Sequence, residues 1–370
     1  MDIFVKPPFY AKAALIFISV FALIFTMRIG QEIIIPVVYA LLTAILLNPL
    51  VNFLIRKKIN RLIAISIAVF LSIFVVIAIL YVLSSQVSQF SEAYPKLKEK
   101  MDVTTNNLLN WISEKFSIRK AKINTWISDT QKEAIRDFAI AEKLSEAGQV
   151  VVTVMLLPVY IFLFLYYKTL LLEFIRRLFR SEHHIVVADV LMSTKKITQS
   201  YLSGLFFEML IMAVLNSVGL LLLGIEYAVL LGIIGAILNV IPYLGGIIGV
   251  FLYMAIALVT KSPEYVIYVA ILYAIIQFVD NNFIVPRIVA SKVQLNALVS
   301  IIVVLIGSAV WGISGMFLSI PLTAIAKVIF DHIDPLKPWG FLLGNIVPTN
   351  SRFSLPKKIK IRSSYKNKKQ

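Results

Sequence analysis

Residues 238–250 read LNVIPYLGGIIGV, one proline and three glycines inside a run otherwise apolar enough to cross a bilayer. A proline in a helix interior removes an N–H and clashes with the turn before it, and each glycine costs roughly 1 kcal/mol relative to alanine. A helix broken at membrane depth leaves backbone groups unpaired in hydrocarbon unless protein or a water-filled cavity surrounds them. Two readings fit the stretch alone. It permits close helix packing through small residues, or it exposes N–H and C=O groups that hold a polar solute or a cation.

The rest of the chain makes the bilayer its setting. Of 370 residues 59% are hydrophobic, against roughly 45–50% in an ordinary globular domain. A membrane helix needs about 20 apolar residues, and runs of that kind occupy 11–27, 33–55, 62–84, 150–167 and 201–223. The first is preceded by Lys6 and Lys12 but is followed by Arg28, not by a small-x-small cleavage site, so it reads as a retained span. Without cysteine there is no disulfide framework and no thiolate metal site. With only His183, His184 and His332, an all-histidine metal site is a poor expectation, and no cofactor is expected. The net charge of +16 would suggest nucleic acid in a soluble protein. No folded nucleic-acid-reading module accompanies it, so no such partner is expected.

The charges instead report orientation. RKKINR (56–61) carries four basic residues and no acid, and short basic loops stay cytoplasmic, which puts the N-terminus inside as well. Residues 85–149, with ten basic and nine acidic side chains, are then extracytoplasmic, and Leu108, Leu109, Trp111, Ile112 and Phe116 recur there at helical spacing. Residues 168–200 return to the cytoplasmic face with six basic against three acidic residues. The segments after 223 are unlike simple spans. Residues 227–259 and 297–326 are uncharged runs broken by Pro242, Gly245, Gly246 and Gly249 in one and by Gly307, Gly312, Gly315 and Pro321 in the other. Single crossings would leave Arg287 and Lys292 outside; oppositely inserted re-entrant hairpins flanking the 265–286 helix keep them inside, and that topology is favoured. The tail, 351–370, has eight basic residues and no acid and is expected to touch anionic lipid.

Chemistry concentrates in QFVDNNFIVPR (277–287). Gln277, Asp280, Asn281 and Ile284 fall on one helical face, and a carboxylate at membrane depth usually lines a pathway or binds an ion or substrate. The alternative is that Asp280 pairs with Arg287 and merely anchors the helix end. Glu208, in the first half of the 201–223 run, has the same two readings. Enzyme readings are thin. GISG (312–315) resembles the G-x-S-G serine motif of intramembrane rhomboid proteases, but His332 lies 18 residues beyond Ser314 and is poorly placed as its base. Ser193 and Lys196 form an S-x-x-K lacking its companion motifs. There is no H-E-x-x-H, Walker A loop or Rossmann fingerprint, so active transport would run on a gradient.

The order of NVIPYLGGIIG, QFVDNNFIVPRIVASKVQLNALVSI and GISGMFLSIPLTAIAKV, after a basic break and a polar segment, resembles the autoinducer-2 exporter family of bacterial membrane proteins. The resemblance implies a multi-pass bacterial inner-membrane protein with cytoplasmic termini that exports a small polar signalling molecule. In some relatives the implied activity is sodium or lithium exchange for protons, and the implied assembly is a homo-oligomer, a pentamer. It carries over Pro242, Gly245, Gly246 and Gly249, then Asp280, Asn281, Asn282 and Pro286, then Gly312, Gly315 and Pro321. The long basic tail departs from the family pattern.

The expected protein is therefore an all-α polytopic membrane protein with about 6–8 membrane segments, two of them broken or re-entrant hairpins. Three spans (1–84) precede the insert (85–149). A fourth span with a cytoplasmic segment (150–200), a transport region (201–330) and a basic tail (331–370) follow. The site is expected where the hairpin tips meet the 265–286 helix, with Asn239, Gln277, Asn281 and Asn282 as hydrogen-bonding ligands. Asp280, and secondarily Glu208, would carry proton or cation coupling, with a transient sodium ion at Asp280. The ligand would be a small polar solute or a monovalent cation.

Overall fold

Helices form where the apolar runs predict them, and several extend well past those runs. The computed structural model describes residues 8–116, 147–241, 244–290 and 295–345. The helices are α1 (Phe9–Ile29), α2 (Gln31–Arg56), α3 (Arg61–Phe116), α4 (Ala147–Tyr166), α5 (Lys168–Leu178), α6 (His184–Leu222), α7 (Ala228–Asn239), α8 (Leu244–Thr260), α9 (Pro263–Val279), α10 (Ala297–His332) and α11 (Lys337–Leu343). Two π-helical stretches, Asp280–Ile284 and Pro286–Ala290, continue α9. Among the described residues there is no strand, only one antiparallel bridge between Leu295 and Gly344.

Among the described residues five helices are long and apolar enough to cross a membrane: α2, the start of α3, α6, α9 with its continuation, and α10. The α4–α5 pair, bent by 63°, makes a sixth if counted as one span. The outward side chains of these elements are apolar; Phe70 and Phe74 of α3 are 70% and 66% exposed. Hydrocarbon, not water, covers such a surface. The chain is an all-α multi-pass membrane protein.

In lipid there is no hydrophobic drive between helices, so close approach of small residues supplies packing instead. Ala40 and Ala44 of α2 meet Ala64 and Ala68 of α3 in one buried cluster, joined by Ile161 and Leu165 of α4. Polar clamps fix the ends. Arg61 Nη2 donates to Leu165 O (3.3 Å) and Tyr166 O (2.6 Å), satisfying carbonyls that the end of α4 leaves without helical partners. His332 Nε2 and Asp189 Oδ2, 3.0 Å apart, tie the end of α10 to the start of α6. The 56–61 loop, the α4–α5 joint, the start of α6 and the end of α10 thus share one end of the bundle, the basic end.

Both broken runs fold back on themselves. Beyond the end of α6, Gly224 (φ 65°) and Tyr227 (φ 60°) turn the chain into α7, which runs antiparallel to α6. A Cβ at Gly232 would lie 2.5 Å from Ser217 N, so α7 touches α6 backbone to backbone. The chain then reverses into α8, with Gly249 3.7 Å from the Gly235 Cα and Lys261 back beside Gly224, measured from the ideal Cβ at each glycine. The α7–α8 hairpin therefore enters and leaves at the end opposite the basic one.

The α10 hairpin is inserted the other way. Trp311 and Gly312 leave helical geometry, Gly312 with φ 59°, which favours glycine. The arms then double back. A Cβ at Gly315 would stand 1.9 Å from Gly307 O, whereas eight residues of straight helix would separate the two by about 12 Å. Asn296, just before α10, donates from its backbone N to Leu343 O (3.1 Å), so both arms end at the basic end.

Two segment boundaries differ from those read in the sequence. Helix α3 does not stop near residue 84 but runs unbroken to Phe116, 56 residues, or about 84 Å. Residues 117–146 of the insert lie outside the described residues. Residues 168–200 hold α5 and the first turns of α6, so the span expected at 201–223 is the later part of a 39-residue helix. The tail from 346 onward also lies outside the described residues.

Candidate functional site

Five polar side chains meet where the α7–α8 hairpin approaches α6 and α9. On α6 the inward stripe is Tyr201, Leu205, Glu208, Met212 and Asn216, spaced as one helical face, with Tyr201 and Leu205 packed against α2 and α10 and Met212 against Ala236 of α7. Glu208 is 7% exposed and Asp280, at the end of α9, 1%. Between them stands Asn239, the last residue of α7. Its Nδ2 donates to Glu208 Oε1 and to Asp280 Oδ2, each at 3.3 Å. One amide thus bridges two buried carboxylates that lie 72 residues apart in the chain. Gln277 Nε2 donates to Asp280 Oδ2 (3.4 Å) and to Asn281 Oδ1 (3.4 Å).

These contacts lie beyond the usual 2.7–3.2 Å for N–H···O, and they leave acceptors over. Asp280 Oδ1 and Gln277 Oε1 are buried without a hydrogen-bond partner among the described residues. Gly246 opens the space before them. A Cβ there would lie 2.4 Å from Tyr273 Oη and 3.5 Å from both Asn239 Oδ1 and Gln277 Oε1, so three oxygens converge above a residue without a side chain. Among the described residues neither carboxylate pairs with Lys, Arg or His. Two uncompensated carboxylates in a low-dielectric setting repel strongly, so the site favours occupation by a proton or a cation. No group of three or more His, Cys, Asp or Glu is present among the described residues, and the oxygen set suits a proton, a monovalent cation or a hydroxyl-rich solute.

The π-helical continuation decides which way the acidic face points. Pro286 cannot donate and would collide with the carbonyl four residues back. The chain widens instead, and Val285 N–H reaches Asp280 O, five residues earlier. Such widened turns recur at functional sites. Asp280 and Ile284 face inward, while Asn281, Asn282 and Pro286 are exposed. Asn282 turns to its own helix, donating to Phe278 O (2.8 Å). The pairing of Asp280 with Arg287 does not form; the Arg287 guanidinium sits over the Phe283 ring at 5.8 Å.

Of the residues singled out in the sequence, the structure brings together Asn239, Gly246, Gln277, Asp280 and Glu208, with Asn281 at the edge. Gly245 and Gly249 stand behind them as hairpin packing. Pro242 lies outside the described residues. The α10 hairpin lies beside the cluster: its Trp311, Phe317 and Leu318 share a buried apolar group with Leu205 of α6, Val240 next to Asn239, and Val285. The same tip also reaches α1 and α2, with Trp311 Nε1 donating to Met27 O (2.9 Å) and Phe317 stacked on Tyr39 at 5.6 Å. Ser314 is near that tip, and His332 ends the arm about 27 Å away, so they form no nucleophile–base pair. Tyr273 was not anticipated. It lies four residues before Gln277 and seven before Asp280, and extending the same helical face by one turn would have found it.

A hairpin that carries polar groups to two buried carboxylates gives this multi-pass membrane protein an internal polar cluster. Residues 14–334 match the family model described as AI-2E family transporter, and the chain belongs to that family. It is similar to YrrI of Bacillus subtilis, a candidate transport protein, with 35% identity over 132 residues, 36% of this chain and 37% of YrrI. It is also similar to PerM of Escherichia coli, a candidate permease, with 27% identity over 182 residues, 49% of this chain and 51% of PerM. A candidate transport protein of Borreliella burgdorferi is 29% identical over 133 residues, 35% of this chain and 37% of that protein. The matches span between about a third and a half of these relatives.

Proposed function

We propose that the protein is a secondary transporter of a bacterial inner membrane, with cytoplasmic termini, that exports a small polar solute such as an autoinducer-2-like molecule. Export is coupled to a proton or monovalent cation at the Glu208–Asn239–Asp280 bridge. The observation that supports it most is Asp280, 1% exposed, with one oxygen unpartnered and the other bridged to a second buried acid. The α7–α8 and α10 hairpins enter as oppositely oriented re-entrant elements, and the former presents its tip to the site near the midplane. The protein works as a homo-oligomer, a pentamer by family likeness, with its basic tail on anionic lipid.

The test is flux in proteoliposomes under imposed proton or sodium gradients, with a furanosyl diol or another polyol as candidate solute. Saturable, gradient-dependent flux supports the proposal. Unsaturable flux indifferent to both gradients indicates a channel, and no flux of any solute indicates a scaffold. A sodium(lithium)/proton antiporter is the second reading, favoured by the same surplus of acceptors; cation exchange with no solute present would select it.

Glu208→Gln supplies a further prediction. It keeps an acceptor for Asn239 but removes one of the two charges, so flux is expected to persist with its pH or sodium dependence displaced. Unaltered dependence would exclude Glu208 from coupling.

A further inference from the structure

A second polar set lies at the basic end, away from the carboxylate bridge and unused by it. A cavity of about 490 Å³ opens between α2, α4, α5 and α6. Its walls are almost wholly apolar, with Leu41, Phe164, Leu172 and Leu191 among them, and its polar groups are Asn48, Lys168, Thr194 and Lys195. No carboxylate lines it. Asn48 is 5% exposed; its Oδ1 accepts from Lys168 Nζ at 3.0 Å, and its Nδ2 is buried without a partner. Lys195 forms no ion pair among the described residues, and the charges that act on Lys168 are both positive, Lys195 and Arg61.

The cavity is therefore apolar along its walls and lined by two cationic groups and a free amide N–H with no anionic partner among the described residues. That is the complement of an amphiphile with an anionic head. Its place fixes the source: the four helices are lipid-covered, and the donors lie near the level where α4 bends into α5, an amphipathic helix with Glu173, Arg176 and Arg177 on its polar side. Amphipathic helices of this kind lie at the boundary of headgroups and acyl chains. We propose that this cavity is a binding site for an anionic phospholipid, its phosphate held by Lys168, Lys195 and the free Asn48 amide and an acyl chain lodged between α2 and α5.

The experiment is a thermal-shift titration of the delipidated full-length protein in a neutral detergent with dioctanoylphosphatidylglycerol. The comparison arms are dioctanoylphosphatidylcholine and inorganic phosphate. Saturable stabilisation by phosphatidylglycerol alone is expected. Lys195→Gln, at a residue with no ion pair to lose, should weaken apparent affinity roughly fivefold, and Lys168→Gln by a similar factor. Lys57→Gln/Lys58→Gln, which removes two charges from the nearby exposed loop, should leave affinity within about twofold. Equal stabilisation by phosphatidylcholine, or by phosphate, overturns the proposal. So does an equal loss in the loop variant, which would mean surface attraction only, or stabilisation that follows protein concentration instead of lipid, which would make the cavity a contact between copies.

Discussion

Asp280→Asn is expected to abolish gradient-coupled flux, by about 100-fold or more, while expression, membrane insertion and melting temperature stay close to the parent. The structure separates the two effects. Asn239 Nδ2 and Gln277 Nε2 both donate to Oδ2 of Asp280, and an asparagine oxygen placed there accepts from both. The new amide nitrogen then occupies the position of Oδ1, which has no partner to lose. What disappears is the charge. A unit charge 4 Å from a cation is worth about 4 kcal/mol at an effective dielectric constant near 20, about a thousandfold in occupancy. Measured in proteoliposomes, the variant should also lose its response to external pH or sodium. Unchanged gradient-driven flux from a well-folded Asp280→Asn protein would remove this residue, and with it the coupling role of the bridge, from the mechanism.

The C-terminal architecture is legible because its breakers and charges point the same way. Helix α7 ends at Asn239 and α8 starts at Leu244, beside the proline and glycines read as breakers, and α10 reverses at Gly312. The site is less legible, for three physical reasons. Glu208 reaches Asp280 only through the α6–α7 contact, and no local pattern announces a partner 72 residues away. The polar face of 277–284 assumes 3.6 residues per turn, but the helix widens from Asp280 onward, and Asn281, read on the same face as Asp280, is exposed while Asp280 and Ile284 stay buried. The glycines of the two hairpins look alike in sequence because a glycine beside a backbone and a glycine beside a ligand both lack a Cβ. Gly246 faces the oxygens of Tyr273, Asn239 and Gln277, whereas Gly307 and Gly315 face each other. The reach of α3 escapes for another reason: the apolar run ends near 84, but Glu, Lys, Gln and Leu continue to favour helix after it.

That ambiguity among glycines can be resolved within LGGIIG (244–249), where three methyl additions should give three different results. In Gly245→Ala the new Cβ meets Leu238 O at 1.6 Å, Leu238 C at 2.3 Å and Asn239 N at 2.9 Å, all backbone atoms that no rotamer change can clear. Overpacking typically costs 1–3 kcal/mol, and with only backbone to move the loss should reach about 3 kcal/mol, read as a clear fall in melting temperature. In Gly246→Ala the obstruction is the far end of a side chain, Tyr273 Oη at 2.4 Å. Tyr273 can swing aside, so the fold should hold while the niche closes; the melting temperature stays and the concentration needed for half-maximal flux rises. In Gly249→Ala nothing lies nearer than 3.7 Å, and both stability, to within about 0.5 kcal/mol, and flux should match the parent. If Gly246→Ala instead melted as early as Gly245→Ala with unchanged flux per folded molecule, the converging oxygens would be packing around a hairpin and not a place where a solute or cation sits.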